Sequence, residues 1–370
     1  MAIAEELGYA QGREAGYAFG MENGRRQGLA DTWRSRMQQV PAAKFDLRVL
    51  YVTSGIGPPY PPIDKAVSEA LAETVREVAV AGPGEPVGRL AAELKPDLML
   101  ALNGTVLPES EVRQVRESGT VTAIWFTDDP YYTDWTANIA PRYDFVFTLE
   151  RACVPFYRSL GCARVHHLPF AADPAVFNVK PAGWSCRSDI CFLGTAYWDR
   201  VRTIDRLARY LAERRTVIAG LWWDRLRHFQ LLKPYIFHEQ WLSPEQSAEY
   251  YNGAKIAINL HRSATDPTIN HNGRKIEALS VNPRTFEICA CQTLQLVDGR
   301  DDVALHYVPG REIVCFHSDD ELMELLDYYL NHDEERREIA FRGYLRTMRD
   351  HTYRVRVGEL IRLVVRGDTG

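Results

Sequence analysis

Long apolar runs are missing from this chain of 370 residues. None reaches the roughly twenty residues that carry a helix across a bilayer, so no transmembrane segment is expected. Glu5 and Glu6 stand where a secretory signal would need an apolar core, which points to a cytoplasmic protein. An excess of basic charge is missing too. With 44 Lys and Arg against 49 Asp and Glu, the net charge is -5, which gives no bulk attraction to nucleic acid or to an acidic membrane. Cysteine is scarce and poorly spaced for cross-linking. Cys153, Cys162, Cys186, Cys191, Cys289, Cys291 and Cys315 are odd in number and include no CxxC pair. They suit reduced thiols packed as small hydrophobes. Cys289 and Cys291 stand two apart, which turns them to different faces of a helix rather than onto one zinc. No metal and no cofactor are expected.

What is present begins with a glycine pattern in residues 1–44. Gly8, Gly12, Gly16, Gly20, Gly24 and Gly28 recur every four residues. In a helix each such step turns about 400°, so the glycines form a slowly drifting stripe. Each costs about 1 kcal/mol relative to Ala, so the segment needs a partner to be stable. It reads as a helical extension whose stripe lets another backbone approach, with homo-oligomerisation as its expected use.

From Phe45 on, short apolar runs alternate with amphipathic stretches. LRVLYVT (47–53), REVAV (76–80), DLMLAL (97–102), TAIWF (122–126) and YDFVFT (143–148) read as buried strands. Helical stretches at 63–75, 86–95 and 108–118 separate them, as in a parallel sheet covered on both faces. This first domain spans 45–170, and a linker follows at 171–185. A second α/β cycle fills 186–350, with strands DICFLG (189–194), TVIAG (216–220), KIAINLH (255–261), TLQLVD (293–298) and EIVCF (312–316). Its helices fall at 200–213, 244–253, 284–291 and 319–331, and charged amphipathic helices at 333–349 and 352–366 close the chain. Two such halves leave a cleft lined by strand ends, where open α/β sheets bind ligands.

The stretch SVNPRTFEICACQTLQLVD (280–298) carries the densest chemistry. Pro283 suits a first helical turn and Asn282 a cap. Arg284 adds positive charge at a helix start that suits a diphosphate, and Glu287 offers a carboxylate to a ribose diol. The plain alternative is a capped helix with a solvated Arg and a Glu that matches the dipole. FLGTAYWDR places Gly194 and Thr195 at a strand end with Arg200 just beyond, where a phosphate can approach the backbone. AINLHR projects His261 and Arg262 from another strand end. AGLWWDRL sets Gly220, Trp222 and Trp223 after a third, and the Trp residues read as packing.

In the first half, IWFTDDPYYTDW runs a strand straight into Asp128 and Asp129, with Tyr131, Tyr132 and Trp135 beside them. Adjacent carboxylates push one pKa upward, as a general base needs. The aromatic rings suit a sugar face. An Asp-Pro turn that caps backbone amides is the plain alternative. A metal-binding DxD is a third reading, but the intervening residue is missing, and VDGRDD (297–302) also matches only approximately.

Several ordered motifs resemble one family. YYNGAKIAINLHR, NPRTFEICACQTLQLVDGRDD, REIVCF and DHTYRVRV resemble the C-terminal half of CgeB-like spore-maturation glycosyltransferases. RVLYVTSG, WFTDDPYYTDW, YDFVFTLE and HHLPFAADPAVF resemble the N-terminal half, and the two sets together span about 45–365. The Gly/Tyr-rich leader is similar to leaders of some members. The resemblance implies a GT-B architecture: two Rossmann-like domains facing across a cleft, with the last helix (351–370) crossing back to the first. It implies a UDP-, GDP- or dTDP-linked sugar donor in the second domain, with Glu287 on the ribose. The nucleotide-sugar set is then Gly194, Thr195, Arg200, His261, Arg262, Asn282, Arg284, Thr285, Phe286 and Glu287. It implies an acceptor in the first domain, with Asp128 or Asp129 as base and Tyr131, Tyr132 and Trp135 in contact with it.

One departure is Gln292, where members often carry Gly; the larger residue either narrows the donor pocket or lengthens the helix end. The expected function is a metal-independent glycosyltransferase of hexosyltransferase type, acting on a protein or glycan hydroxyl and cytoplasmic or spore-associated. Two alternatives keep the same fold: a nucleotide-sugar epimerase, and a non-catalytic spore-surface scaffold. A third idea makes Tyr9 or Tyr17 of the leader the sugar acceptor.

Overall fold

The computed structural model describes residues 2–37, 43–237 and 240–367. Its first sheet contains β1 (Phe45–Val52), β2 (Val75–Ala81), β3 (Leu98–Leu102), β4 (Val121–Trp125), β5 (Phe145–Thr148) and β6 (Val165–His167). All pairs are parallel, in the order β2-β1-β3-β4-β5-β6. Every residue of β3 is buried, as a strand covered on both faces requires. Trp125 at the end of β4 is fully buried and donates its indole N–H to the carbonyl of Leu168 at 2.9 Å.

The second sheet contains β7 (Ser188–Leu193), β8 (Thr216–Ala219), β9 (Ala254–Asn259), β10 (Leu294–Asp298) and β11 (Val314–Phe316). These strands are also parallel, in the order β11-β10-β9-β7-β8. The chain steps from β7 to β8 on one side and returns to β9 on the other. The strand order therefore reverses between β7 and β9, and a crevice opens past their C-terminal ends. In the first sheet the same reversal falls between β1 and β3.

Two chain crossings join the domains side by side. Ala172 N–H donates to the carbonyl of His351 at 3.0 Å, and Tyr353 N–H donates to the carbonyl of Ala172 at 3.2 Å. The last helix, Tyr353–Arg366, then packs Tyr353, Val357, Leu360 and Ile361 into the first sheet's core beside Trp125 and Phe170. Burying such side chains stabilises by about 1.5–3 kcal/mol each, so this helix belongs energetically to the domain it crosses to.

The N-terminal helix, Ala2–Met37, lies on the second domain. Ala30 is buried among Tyr251, Cys291 and Tyr344, and the Trp33 ring meets Tyr344 edge-on at 6.1 Å. Arg26 donates to the carbonyls of Asn252 at 3.1 Å and Cys291 at 2.7 Å. It thereby caps the C-terminal ends of the helices Pro244–Gly253 and Arg284–Ala290, where cations are favoured. Among the described residues the glycine stripe takes no part in this docking. A Cβ added at Gly12, Gly16, Gly20, Gly24 or Gly28 meets nothing within 4 Å, and Tyr17 and Met21 are exposed. Gly8 and Tyr9 lie where only the backbone is described. Among the described residues no helix is long and apolar enough to cross a membrane.

Candidate active site

The C-terminal ends of both sheets face a cleft of about 700 Å³. On the second-domain side, β7 ends at Leu193 and the chain turns at Gly194. The Leu193 carbonyl accepts from Nη1 of Arg284, and the Leu260 carbonyl accepts from Nη2 of Arg284 at 3.3 Å and Nε of Arg200 at 3.0 Å. A Cβ on Gly194 would stand 2.2 Å from Arg284 Nη1 and 3.3 Å from Arg200 Nη1, so the glycine makes room for both guanidinium groups. Trp223 is buried behind this turn and donates its indole N–H to the Gly194 carbonyl at 3.1 Å. Burial and the neighbouring Arg284 pull the Arg200 pKa down to about 9.

Two more arginines join them. The Arg262 guanidinium stacks over the rings of Tyr131 at 4.0 Å and Tyr197 at 4.3 Å, and Arg300 donates to the Arg262 carbonyl at 3.1 Å. Among the described residues the hydrogen-bond acceptors of Arg200, Arg262, Arg284 and Arg300 are backbone carbonyls, and none of the four has a carboxylate within 4 Å. His261 reaches the cleft from the end of β9. Its backbone N–H donates to Asp298 at 2.8 Å, its Nδ1 lies 2.7 Å from the same carboxylate, and its Nε2 is buried with no partner. Burial lowers the His261 pKa against the pull of Asp298.

The helix Arg284–Ala290 divides its residues between core and cleft. Arg284 and Glu287, three apart, share the cleft face. Thr285 and Phe286 point inward instead. Thr285 is fully buried and accepts from Asn259 Nδ2 at 3.1 Å, while Phe286 packs on the rings of His306, Tyr307 and His351. These two were expected among the nucleotide-sugar contacts, yet their side chains do not line the cleft. Asn282 caps as its type suggests, accepting from the Thr285 N–H at 3.2 Å and donating to Asn259 at 2.9 Å. Glu287 is half-buried and has no side-chain hydrogen bond or ion pair among the described residues. Burial raises its carboxyl to about 7, against the opposing charge of Arg284.

Gln292 lies past the other end of this helix, at the cavity under the N-terminal helix, so it does not narrow the cleft. Cys289 and Cys291 are core residues: Cys289 accepts from Gln295 Nε2 at 3.3 Å, and Cys291 packs beneath Arg26.

On the first-domain side, β4 runs into Asp128 and Asp129, and the two side chains have different surroundings. Asp129 is buried, accepting from Thr148 at 2.6 Å and from Tyr157 at 2.8 Å, and burial lifts its pKa to about 7. Asp128 is only half-buried and accepts from the hydroxyls of Tyr60, at 2.8 Å, and Thr127. Burial raises its pKa as well. Tyr131 lines the cleft and donates to the Arg262 carbonyl at 2.7 Å. Tyr132 and Trp135, expected at the acceptor, lie outside the cleft lining. Trp135 stacks on His271 at 4.3 Å and Tyr132 on Trp135 at 4.9 Å, so these rings join the two domains.

Four residues that sequence reasoning passed over complete the site. Arg300 and Tyr60 line the cleft. Glu150, just past β5, is buried and accepts the backbone N–H groups of Leu279 and Ser280, both at 3.0 Å. Asp302, also fully buried, accepts the N–H of Val281 at 3.1 Å. Two carboxylates thus fix three consecutive amides directly before Asn282. The visible signal for Glu150 and Arg300 was their place at strand ends.

The comparisons agree with this architecture. A family model described as glycosyl transferase-like matches residues 200–362. Sucrose-phosphate synthase from Thermosynechococcus elongatus superposes with a TM-score of 0.57 at 12% identity, covering 87% of this chain and 100% of that one. HepE from Anabaena, solved in complex with UDP-glucose, superposes with a TM-score of 0.57 at 9% identity and the same coverage. At such identities the likeness is one of fold, the GT-B arrangement of two Rossmann-like domains. Spore protein CgeB of Bacillus subtilis (strain 168) is 30% identical over 309 residues, 83% of this chain and 95% of that protein. On that extent of identity, and on the fold that carries it, the chain belongs to the CgeB family.

Proposed function

We propose that the protein is a glycosyltransferase that takes a sugar from a nucleotide-sugar donor, with the nucleoside diphosphate in the second-domain half of the cleft. One observation carries this reading: four arginines without carboxylate partners converge on a cleft whose nearby acid, Glu287, is itself unpaired. A dianionic diphosphate relieves the repulsion between Arg200 and Arg284. A ribose diol supplies the hydrogen bonds that Glu287 lacks. In the reaction, charge develops on the leaving diphosphate as the bond to the sugar breaks, and the fixed guanidinium groups stabilise it. The same four charges make a metal ion unnecessary for that step.

Asp128 takes the proton of the acceptor hydroxyl. Its raised pKa and its half-buried place at the cleft suit it to this, whereas Asp129 is committed to Thr148 and Tyr157. An Asp128 base implies attack opposite the leaving group and inversion at the sugar carbon. HepE was solved with UDP-glucose, so a uridine donor is the first to try. The acceptor is a hydroxyl on a protein or glycan, and the kinship with a spore protein favours a spore-surface polymer made by a cytoplasmic enzyme.

The test is a thermal-shift screen of UDP, GDP, dTDP and CMP, followed by turnover of the matching sugar nucleotides with and without EDTA. One nucleoside diphosphate should raise the melting temperature, and chelation should leave transfer unchanged. Turnover of the donor to an isomer without any acceptor would make the protein an epimerase instead.

A further inference from the structure

Beneath the N-terminal helix lies a second cavity, of about 310 Å³, that takes no part in the cleft. Ser188 and Ala254 on its wall begin β7 and β9, so the length of the sheet, roughly 20 Å at about 3.3 Å per residue, separates it from Gly194 and His261. Its lining holds six basic side chains against two carboxylates, and both carboxylates are engaged. Glu22 pairs with Arg337 at 3.0 Å and Asp189 with Lys255 at 2.7 Å, while Arg336 turns to Asp333 at 2.7 Å. Arg26 and Arg215 have no carboxylate within 4 Å among the described residues, and their hydrogen bonds go to backbone carbonyls.

Unmet polar atoms gather on the same wall. Arg26 Nε, Ser188 Oγ, Gln292 Oε1 and Arg336 Nε are buried, lack a hydrogen-bond partner and belong to lining residues. Ser188, Gln292 and Arg336 are each less than a tenth exposed, at 6%, 6% and 5%. Buried polar groups are ordinarily satisfied, so four together mark a place where something else supplies the partners. Gln292 adds a second anomaly, because its φ of 53° is backbone that glycine adopts far more readily. The chain tolerates that conformation and presents an amide to the cavity.

We propose that this cavity is a binding site for a phosphate-class oxyanion, either free or carried as the monoester of a small molecule. Guanidinium forks match phosphate oxygens in geometry and charge, and two of the arginines here have no other anion to meet. The Ser188 hydroxyl adds a neutral donor, while Gln292 Oε1, which accepts, takes a hydrogen bond from the P–OH of hydrogen phosphate or from a hydroxyl of the group that carries the phosphate. The volume falls at the low end of small-molecule pockets, roughly 300–1,000 Å³, so it holds the oxyanion together with a compact group that bears it. Glu22, Asn23 and Arg26 belong to the N-terminal helix, so occupancy also ties that glycine-weakened helix to the domain.

The experiment is calorimetric titration of the full chain with inorganic phosphate and with glucose 6-phosphate, each against chloride at equal ionic strength. One of the two should bind saturably, and the tighter one identifies the free or the esterified form. Arg215→Met, at an exposed and structurally mild position, should weaken that binding about tenfold, the worth of one charged hydrogen bond. Gln292→Gly relieves the backbone, so it should raise the melting temperature while also weakening the probe. Arg284→Met in the cleft should leave probe binding unchanged. Absence of saturable heat with both probes would overturn the proposal. So would binding that is lost in Arg284→Met and kept in Arg215→Met, since that places the probe in the cleft.

Discussion

Gly194 and Arg284 are fitted to each other: a Cβ on the glycine would stand 2.2 Å from Nη1 of the arginine, which is held by the Leu193 carbonyl. Gly194→Ala must therefore displace the guanidinium, and it also strains a backbone whose φ of 157° favours glycine. We expect nucleoside diphosphate affinity to fall about tenfold, the worth of one charged hydrogen bond, together with a lower melting temperature. Calorimetric titration beside a thermal melt separates the two.

Glu287 should make nucleotide binding pH-dependent. Burial raises its carboxyl to about 7, and only the ionised form accepts both hydroxyls of a ribose diol. Nucleotide affinity should therefore rise between pH 6 and pH 8, and Glu287→Gln should flatten that dependence. Stability moves the other way. The native carboxyl holds its proton to higher pH than the unfolded one, so its contribution favours the fold at low pH and weakens as pH rises through about 7. Titrations and melts at matched pH values check both signs.

Asp128 and Asp129 should separate cleanly. Asp128→Asn should lower kcat by about 10²–10⁴, the range for a lost general base, with the nucleotide dissociation constant unchanged. Asp129→Ala should act on the fold, removing the buried carboxylate that accepts from the Thr148 and Tyr157 hydroxyls at a cost of about 1–3 kcal/mol. Steady-state kinetics and urea unfolding of both variants decide the assignment.

Glu150 joins the first domain to the segment that precedes the helix Arg284–Ala290, through Leu279 and Ser280. Glu150→Ala leaves three amides, those of Ala152, Leu279 and Ser280, facing an emptied space. It should destabilise by about 1–3 kcal/mol and also raise KM for the sugar nucleotide, because the approach to Asn282 and Arg284 loosens. A loss of stability with unchanged KM would limit Glu150 to the fold.

Much of this arrangement was legible because apolar runs alternate with amphipathic ones. Ten of the strands follow from such runs, and the helix Pro244–Gly253 falls where Ser243 and Gln246 form its capping box. β6 was not legible: Val165–His167 is three residues long with two histidines, and only pairing to β5 makes it a strand. The stretch 200–213 is two helices, Trp198–Arg206 and Ala208–Ala212, meeting at Leu207.

In the site, residue type and strand-end position were enough to bring Arg200, Arg284 and Glu287 to the cleft wall. They were not enough for Thr285 and Phe286, since helical phase decides which side of a short helix meets the core, and a one-residue error turns the side chain by about 100°. Tyr132 and Trp135 had the chemistry of a sugar platform, but His271, more than a hundred positions away, claims their rings. Of the two readings open for Gln292, a narrowed donor pocket fails: the helix carries the residue past its C-terminal end, to the opposite end of the sheet from the cleft.

The most direct test is titration of the preferred nucleoside diphosphate into three proteins: wild type, Glu287→Ala and Cys291→Ala. Loss of the ribose hydrogen bonds should weaken binding to Glu287→Ala by about 1–3 kcal/mol, while Cys291→Ala binds as wild type does. Equal affinity in wild type and Glu287→Ala, or a larger loss in Cys291→Ala, would contradict the account.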